Sequence, residues 1–234
     1  MRYSLPVDDL WYLLDSGAGA ASWNMALDDA LLSAVAELGR PILRFYSWIE
    51  PAATFGYFQR YAEVKALTAL RPLIRRPTGG GLVPHSRDWT YSVVVPPDHS
   101  WYELSAVASY KRVHEWLRRS FSDCGIATEL APCCNPVGPG QCFVGAEKYD
   151  LLLGFEKIAG AAQRRNRLGL LIQGSIQPPP HGLQRKLWQD AMVTAGPDFA
   201  SRRFERMEDP RSVIDQTAQI DANRYGTSAY NQRR

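Results

Sequence analysis

The 234-residue chain has no window of about 18 apolar residues, and it opens Met1-Arg2-Tyr3-Ser4-Leu5-Pro6 without an apolar run ahead of a small-residue cleavage site. Neither a membrane-spanning helix nor a secretory leader is expected, and the protein reads as cytoplasmic. It has little excess charge: 27 basic against 24 acidic residues leave +3, spread along the chain. Charge therefore predicts neither nucleic-acid nor membrane binding, and at most hints at an acidic protein partner. Cysteine is scarce. Cys124, Cys133, Cys134 and Cys142 fall within nineteen residues, which fits neither a spread disulfide framework nor paired C-x-x-C zinc ligands, so no metal site is expected. What remains is a chain with 45% apolar residues, enough to bury a full core as one large domain or one domain with a small appendage.

Against that background one stretch stands out, Arg75-Arg76-Pro77-Thr78-Gly79-Gly80-Gly81-Leu82-Val83-Pro84-His85, followed at once by the strand-like Trp89–Val95. Glycines carry no Cβ, so main-chain N–H groups there can lie against a ligand that a side chain would push away. Each such glycine is destabilising by roughly 0.5–1 kcal/mol relative to Ala in regular structure, so three in a row imply a use beyond turning the chain. Arg75 and Arg76 alternate in facing, so only one of them can point into a common pocket. His85 closes the loop, either as a general base or as a cap for the turn.

The hydrophobic pattern places helices at 22–38, capped by Ser22 and stopped by Gly39, at 63–70, at 103–124 and at 183–193. Strands are expected at 41–48 and 51–57 as a hairpin-like pair, at 90–95, and at 149–153, 157–163 and 168–176. Arg44, Trp48 and Phe55 either line a pocket or fill the core. Pro178-Pro179-Pro180 separates this core from the last helix. Residues 199–234 are polar and rich in Arg, Asn and Gln, with little to bury, and read as a tail that is partly disordered or an incomplete helix.

Two residues have the means for covalent chemistry. Cys142 lies fifteen residues before Lys157, and a hairpin that folds back would bring them to one cleft. A thiol with a pKa of about 8.5 needs a nearby cation or donor to become a nucleophile, and a lysine ammonium supplies both. Lys157 sits in Ile158-Ala159-Gly160-Ala161-Ala162 with no adjacent carboxylate beyond Glu156, so it faces solvent or a group that needs a positive charge, such as a carbonyl or a phosphate. By composition alone, Cys142 is a small buried residue and Lys157 a solvated strand charge.

Five blocks in order carry a resemblance: Asn24-Met25-Ala26-Leu27-Asp28; Arg75-Arg76-x-Thr78-Gly79-Gly80-Gly81-x-Val83-x-His85; Thr90-Tyr91-Ser92; Lys157-Ile158-Ala159-Gly160-x-Ala162-Gln163-x-Arg165; and Gln173-Gly174-Ser175-Ile176. Together, from about Ser22 to Ile176, the chain resembles the lipoate–protein ligase and octanoyltransferase family. The resemblance implies an α+β fold, a mixed and largely antiparallel sheet flanked by helices, of the biotin/lipoate protein ligase type. It places the catalytic domain at 1–198 and leaves 199–234 as the tail. Lys157 falls on the family lysine that contacts the acyl carbonyl, and His85 on the family histidine. Arg75, Arg76, Thr78, Gly79, Gly80, Gly81, His85, Tyr149, Ala159, Gly160 and Ala162 become the expected substrate-binding residues.

Cys142-Phe143, seven residues before Tyr149, looks like the cysteine block of the octanoyltransferase branch. The implied reaction takes octanoate from an acyl carrier protein onto Cys142 as a thioester. It then delivers the acyl group to a lysine of a lipoyl domain, glycine-cleavage H-type proteins included, with no cofactor. In the ligase branch ATP with Mg would activate lipoate instead. Gly81 is more like the ligases, and Gln173 stands where many relatives place histidine. No C-terminal accessory domain of the full-length ligase kind is expected, as in transferases and in ligases whose accessory domain is a separate protein. A non-catalytic acyl- or lipoyl-binding protein would need neither Cys142 nor Lys157.

Overall fold

The computed structural model describes residues 10–133, 145–197, 203–208 and 211–233. An eight-stranded sheet forms the body. In chain order its strands are β1 (Leu10–Gly19), β2 (Ile42–Trp48), β6 (Trp89–Val95), β7 (Glu129–Leu130), β8 (Leu151–Leu153), β9 (Glu156–Asn166), β10 (Gly169–Ile176) and β11 (Arg203–Arg206). Across the sheet they lie β11-β1-β2-β6-β10-β9-β8-β7. The β11–β1 and β1–β2 pairs are parallel and the rest antiparallel, which is the mixed, largely antiparallel sheet expected. A three-stranded sheet, β4-β3-β5, is made of β3 (Ala52–Phe55), β4 (Leu73–Arg75) and β5 (Val83–His85).

Both faces of the large sheet are covered, and strand alternation decides which residue meets which helix. On one face Ile42, Val94 and Leu171 pack with Leu27, Leu31 and Val35 of α1 (Ala21–Leu38). On the other, Leu43, Val93 and Ile172 join Trp116, Leu117 and Phe121 of α4 (Ala106–Asp123) and Trp188 and Met192 of α5 (Arg185–Ala195). Two short helices complete the central part, α2 (Tyr61–Leu67) and α3 (Ser100–Glu103).

Local differences from the sequence expectation have physical causes. Ser22 lies inside α1, whose N-cap is Ala20 with no side-chain cap. Asn24 ties the helix start down instead, its Nδ2 donating to the carbonyls of Gly19 (3.2 Å) and Ser47 (2.8 Å). Gly39 stops α1 as expected, left-handed at φ 68° with its N–H on the Val35 carbonyl. Residues 41–48 and 51–57 do not pair with each other. Strand β2 is enclosed between β1 and β6, while β3 leaves past Pro51 for the small sheet. Strand β1 escapes pattern reading because Leu10–Leu14 is continuously apolar, then gives way to Asp15-Ser16-Gly17-Ala18-Gly19.

The largest departure lies after residue 198, where little was expected to be buried. Strand β11 extends the sheet beside β1. Helix α6 (Arg211–Ile220), a π-helical turn (Asp221–Tyr225) and α7 (Ser228–Asn231) follow. Val213 packs with Leu27 and Leu31, while Tyr225 and Tyr230 join Met25, Tyr46 and Ile74 in a third cluster. Arg224 pairs with Asp29 of α1, and the Tyr225 hydroxyl donates to the same carboxylate at 3.2 Å. The apolar content of this segment is concentrated in a few well-spaced side chains, which composition averaged away.

Candidate active site

The glycine loop runs from the end of β4 to the start of β5, shaped from beneath by Arg76. That guanidinium donates to the carbonyls of Gly79 (3.0 Å from Nε), Gly81 (2.8 Å) and Thr54 (3.3 Å), so one planar fork gathers carbonyls from both arms of the loop. Gly80 is left-handed at φ 82°, and its carbonyl would lie 1.8 Å from a Cβ on Gly56, so the loop can close only over a glycine. Gly79 differs. A Cβ there would have no heavy atom within 4 Å and its φ is not positive, so the missing side chain leaves open space beside the backbone. Arg75 faces away from the loop, its head group over the Phe55 ring and bonded to the carbonyls of Tyr57, Gln59 and Asn231.

Below the loop a buried polar ladder crosses to α1. The Thr78 hydroxyl donates to Gln173 Oε1 at 2.7 Å, and Gln173 Nε2 donates to Asp28 Oδ2 at 2.7 Å. Asp28 Oδ1 accepts from Ser92 Oγ (2.7 Å) and Arg44 Nη1 (2.6 Å). Arg44 also donates to Asn24 Oδ1 (2.8 Å) and Ser16 Oγ (2.9 Å) and is fully buried. Arg44 therefore lines no pocket; it neutralises Asp28 and fixes the Asn24–Asp28 turn of α1. Trp48 is likewise occupied, stacked on the His85 ring at 3.8 Å between centroids. His85 bridges Thr54 Oγ1 (2.8 Å from Nε2) and Asp88 Oδ2 (2.7 Å from Nδ1), and Asp88 also takes the Ser175 hydroxyl at 2.8 Å. Nε2 thus holds the loop's outgoing arm to β3 and Nδ1, through Asp88, holds it to β10, which fits the turn-capping role.

The register of β9 against β10 extends the same face toward the sheet edge. Ala162 lies opposite Gln173 and Gly160 opposite Ser175; directly opposed residues of an antiparallel pair share a face. Ala159, opposite Ile176, is on the other face, fully buried in the core with α4. Past Gly160 lies Lys157, and its Nζ is 2.8 Å from Asp150 Oδ2. The expectation that Lys157 lacks a carboxylate partner beyond Glu156 is thus corrected: the β8–β9 hairpin folds Asp150 back onto it. The lysine side chain is 8% exposed and the aspartate 0%, so this is an enclosed pair. A Cβ on Gly160 would come within 2.9 Å of Lys157 Cε and 3.2 Å of Asp150 Oδ1, which explains the glycine at that position.

Asp150 is itself clamped. Tyr110 of α4 donates its hydroxyl to Oδ1 and accepts the Ala161 N–H at 3.3 Å, while the Glu147 N–H reaches Oδ2 at 2.6 Å. Burial and the neighbouring Asp150 charge push the Tyr110 phenol upward, so it stays a donor. Tyr149, just before this carboxylate, takes a left-handed conformation, φ 73°, with Lys111 and Lys148 ammoniums 5.6 and 5.0 Å from its ring centre. Cys142 lies outside the described residues, and so does its separation from Lys157. Among the described residues no group of three or more His, Cys, Asp or Glu is placed to hold a metal ion.

One titrating group backs this cluster. His114 is fully buried in α4, where its Nδ1 must carry the proton because the Tyr110 carbonyl 2.9 Å away only accepts. Burial pushes its pKa down from 6.5 to about 4, against an opposing pull from Asp150. A histidine harder to protonate in the folded state contributes stability that is present above about pH 6.5 and is lost as the pH falls through about 4. The full effect is on the order of 3 kcal/mol. Urea denaturation at pH 7 and pH 5 should show this loss, and His114→Asn, which keeps the donor but cannot titrate, should flatten it. Parallel pH curves for the two proteins would assign the acid sensitivity elsewhere.

The mixed sheet with its flanking helices is a fold shared with lipoate–protein ligases. Lipoate-protein ligase A bound with ATP aligns over 95% of this chain and 97% of its own, with TM-score 0.73 at 20% identity. A bi-partite lipoate protein ligase from Thermoplasma acidophilum, described with its E2 lipoyl domain, aligns over 95% of each chain, with TM-score 0.68 at 19% identity. The family model for the lipoyl protein ligase A/B catalytic domain matches residues 20–177, and the chain belongs to that family. An octanoyltransferase LipM from Halalkalibacterium halodurans is 33% identical over 182 residues, covering 72% of this chain and 66% of that protein. The chain thus spans about two thirds of the length of the curated relatives it matches. Among the described residues, no helix is long and apolar enough to cross a membrane.

Proposed function

We propose that this chain transfers an octanoyl or lipoyl group to a lysine of a lipoyl domain, through an acyl-thioester on Cys142, in the cytoplasm. The observation that carries the reading is the Lys157–Asp150 pair at the β8–β9 hairpin, beside Gly160 and Ala162 on the strand next to Gln173, which holds the glycine loop. A fixed ammonium beside bare backbone suits a polarised carbonyl at the end of an apolar chain. The similarity to octanoyltransferases supports this transferase reading over others.

In the proposed sequence the Cys142 thiolate attacks the thioester carbonyl of an acyl carrier protein, and Lys157 stabilises the tetrahedral oxyanion. The C–S bond to the carrier breaks, and the carrier leaves as its thiol after taking a proton. A neutral lysine amine of the acceptor, a lipoyl domain or a glycine-cleavage H-type protein, then attacks the acyl-enzyme. The amide forms, the Cys142 sulfur departs, and the amine's surplus proton is returned. The incoming thioester is already activated, so no cofactor is needed. Arg75, Arg76, Thr78 and His85 shape the loop wall in this reading, while Gly79–Gly81 supply its surface and Ala162 with Gly160 its floor.

Incubation with octanoyl-carrier protein followed by intact mass should reveal one octanoyl adduct, removed by hydroxylamine and absent in Cys142→Ser. An unmodified wild-type protein would end the thioester mechanism. The ligase reading, prompted by the ATP-bound neighbour of the same fold, predicts instead a modification of the lipoyl domain that needs ATP, Mg and lipoate and survives Cys142→Ala. A binding-only protein would modify nothing under either condition.

A further inference from the structure

We infer that the turn Ser228–Asn231 and the following Arg233, in the segment read from sequence as a loose tail, are positioning elements of the acyl-binding loop. The inference rests on the reading of Gly79–Gly81 as substrate wall. Strand β4 is an edge of the small sheet. The Arg76 N–H bonds inward to the Phe55 carbonyl (2.9 Å), so in an extended strand the preceding Arg75 N–H points outward. That outward donor is taken by Asn231 Oδ1 at 2.8 Å, in a buried position. Asn231 is held in turn, its Nδ2 donating to the carbonyls of Tyr225 (2.7 Å) and Thr227 (2.9 Å).

From Asn231 the connection runs to the loop through groups already fixed. Arg75 donates from Nη2 to the Asn231 carbonyl (3.2 Å) and from Nη1 to the carbonyls of Tyr57 (2.8 Å) and Gln59 (2.7 Å). Gln59 Oε1 accepts the Gly56 N–H (2.9 Å), and the Tyr57 N–H bonds to the Thr78 carbonyl (2.9 Å). Gly56 is the residue over which the Gly80 carbonyl closes. A second strut lies outside: the Arg233 guanidinium sits 4.5 Å from the ring centres of both Tyr57 and Tyr230. Both struts converge on Tyr57–Gln59, so loosening the turn should release the glycine loop while leaving the Lys157–Asp150 pair, at the far edge of the large sheet, in place.

The test is steady-state transfer of octanoyl from octanoyl-carrier protein to a lipoyl domain by the full chain, alongside Gly79→Ala. A methyl at Gly79 meets only open space in the protein, so it reports on substrate alone. Asn231→Ala should raise KM for the donor about tenfold with kcat within twofold, and Asn231→Asp, which keeps the acceptor for the Arg75 N–H but loses the donor to the Tyr225 and Thr227 carbonyls, should raise it at least as much. Arg233→Ala, on an exposed side chain, should raise the same KM about threefold and speed amide exchange at Tyr57. If Gly79→Ala raises KM while Asn231→Ala and Arg233→Ala match wild type, the positioning role is wrong and the loop reading stands. If Gly79→Ala also leaves KM unchanged, the loop is not the substrate wall and both fall.

Discussion

Lys157→Ala is expected to lower acyl transfer by about 10²–10³-fold in kcat, the range for removing one donor aimed at a developing oxyanion. The effect should be large because the ammonium is held rather than tethered: Asp150 meets it at 2.8 Å, Tyr110 and the Glu147 N–H fix Asp150, and Gly160 leaves the space it occupies. Lys157→Arg should not restore activity. The guanidinium is broader, and backbone and carboxylate leave no slack around the Cε–Nζ end. Asp150→Asn should sit between, keeping an acceptor but losing the charge that orients the lysine. Single-turnover formation of the octanoyl adduct separates the steps: Lys157→Ala should slow acylation itself while thermal unfolding shows the chain still folded. Acylation at the wild-type rate in Lys157→Ala would remove the lysine from the mechanism and leave the Lys157–Asp150 pair as a structural bridge.

How far the sequence could be read follows from the range over which each signal acts. Helices α1 and α4 and strands β6, β9 and β10 announce themselves by local periodicity, and the family blocks mark Lys157 and the glycine loop. The pairing of Lys157 with Asp150 was hidden for another reason. A carboxylate seven residues upstream becomes a neighbour only once the hairpin closes with a bulge between Leu151 and Leu152. The choice between pocket and core for Arg44 stays open in the sequence for a similar reason: its partners Asp28 and Asn24 lie sixteen and twenty residues away on a different element. The segment after 198 was misjudged because sparse anchors, Val213, Tyr225, Tyr230 and Asn231, do little to the average polarity of their neighbourhood yet each finds a buried place. Residue type marked the chemistry, whereas distant partners settled which groups are held and which are exposed.

Those distant partners make a strong stability prediction at the Asp28–Arg44 pair. Breaking a buried ion pair by deleting one partner is destabilising by about 3–5 kcal/mol, because the other charge is left in low dielectric. The two deletions should not be equal. Asp28→Ala leaves a guanidinium that cannot shed its proton, and it also strands the Ser92 hydroxyl and the Gln173 amide that Asp28 accepts from. Arg44→Met leaves a carboxylate that still receives two hydrogen bonds and can take up a proton to become neutral. Asp28→Ala should therefore fall at the upper end of that range and Arg44→Met below it, read from urea denaturation midpoints at pH 7. Arg44→Met should also recover relative to wild type as the pH is lowered, since its folded form gains by binding a proton the unfolded chain holds less tightly. The double variant Asp28→Ala/Arg44→Met should be more stable than Asp28→Ala alone, and the departure from additivity in that double-mutant cycle measures the coupling. Additive losses would mean that the two charges do not sense each other. The chain from Gln173 to Thr78 would then reach the glycine loop without electrostatic support from α1.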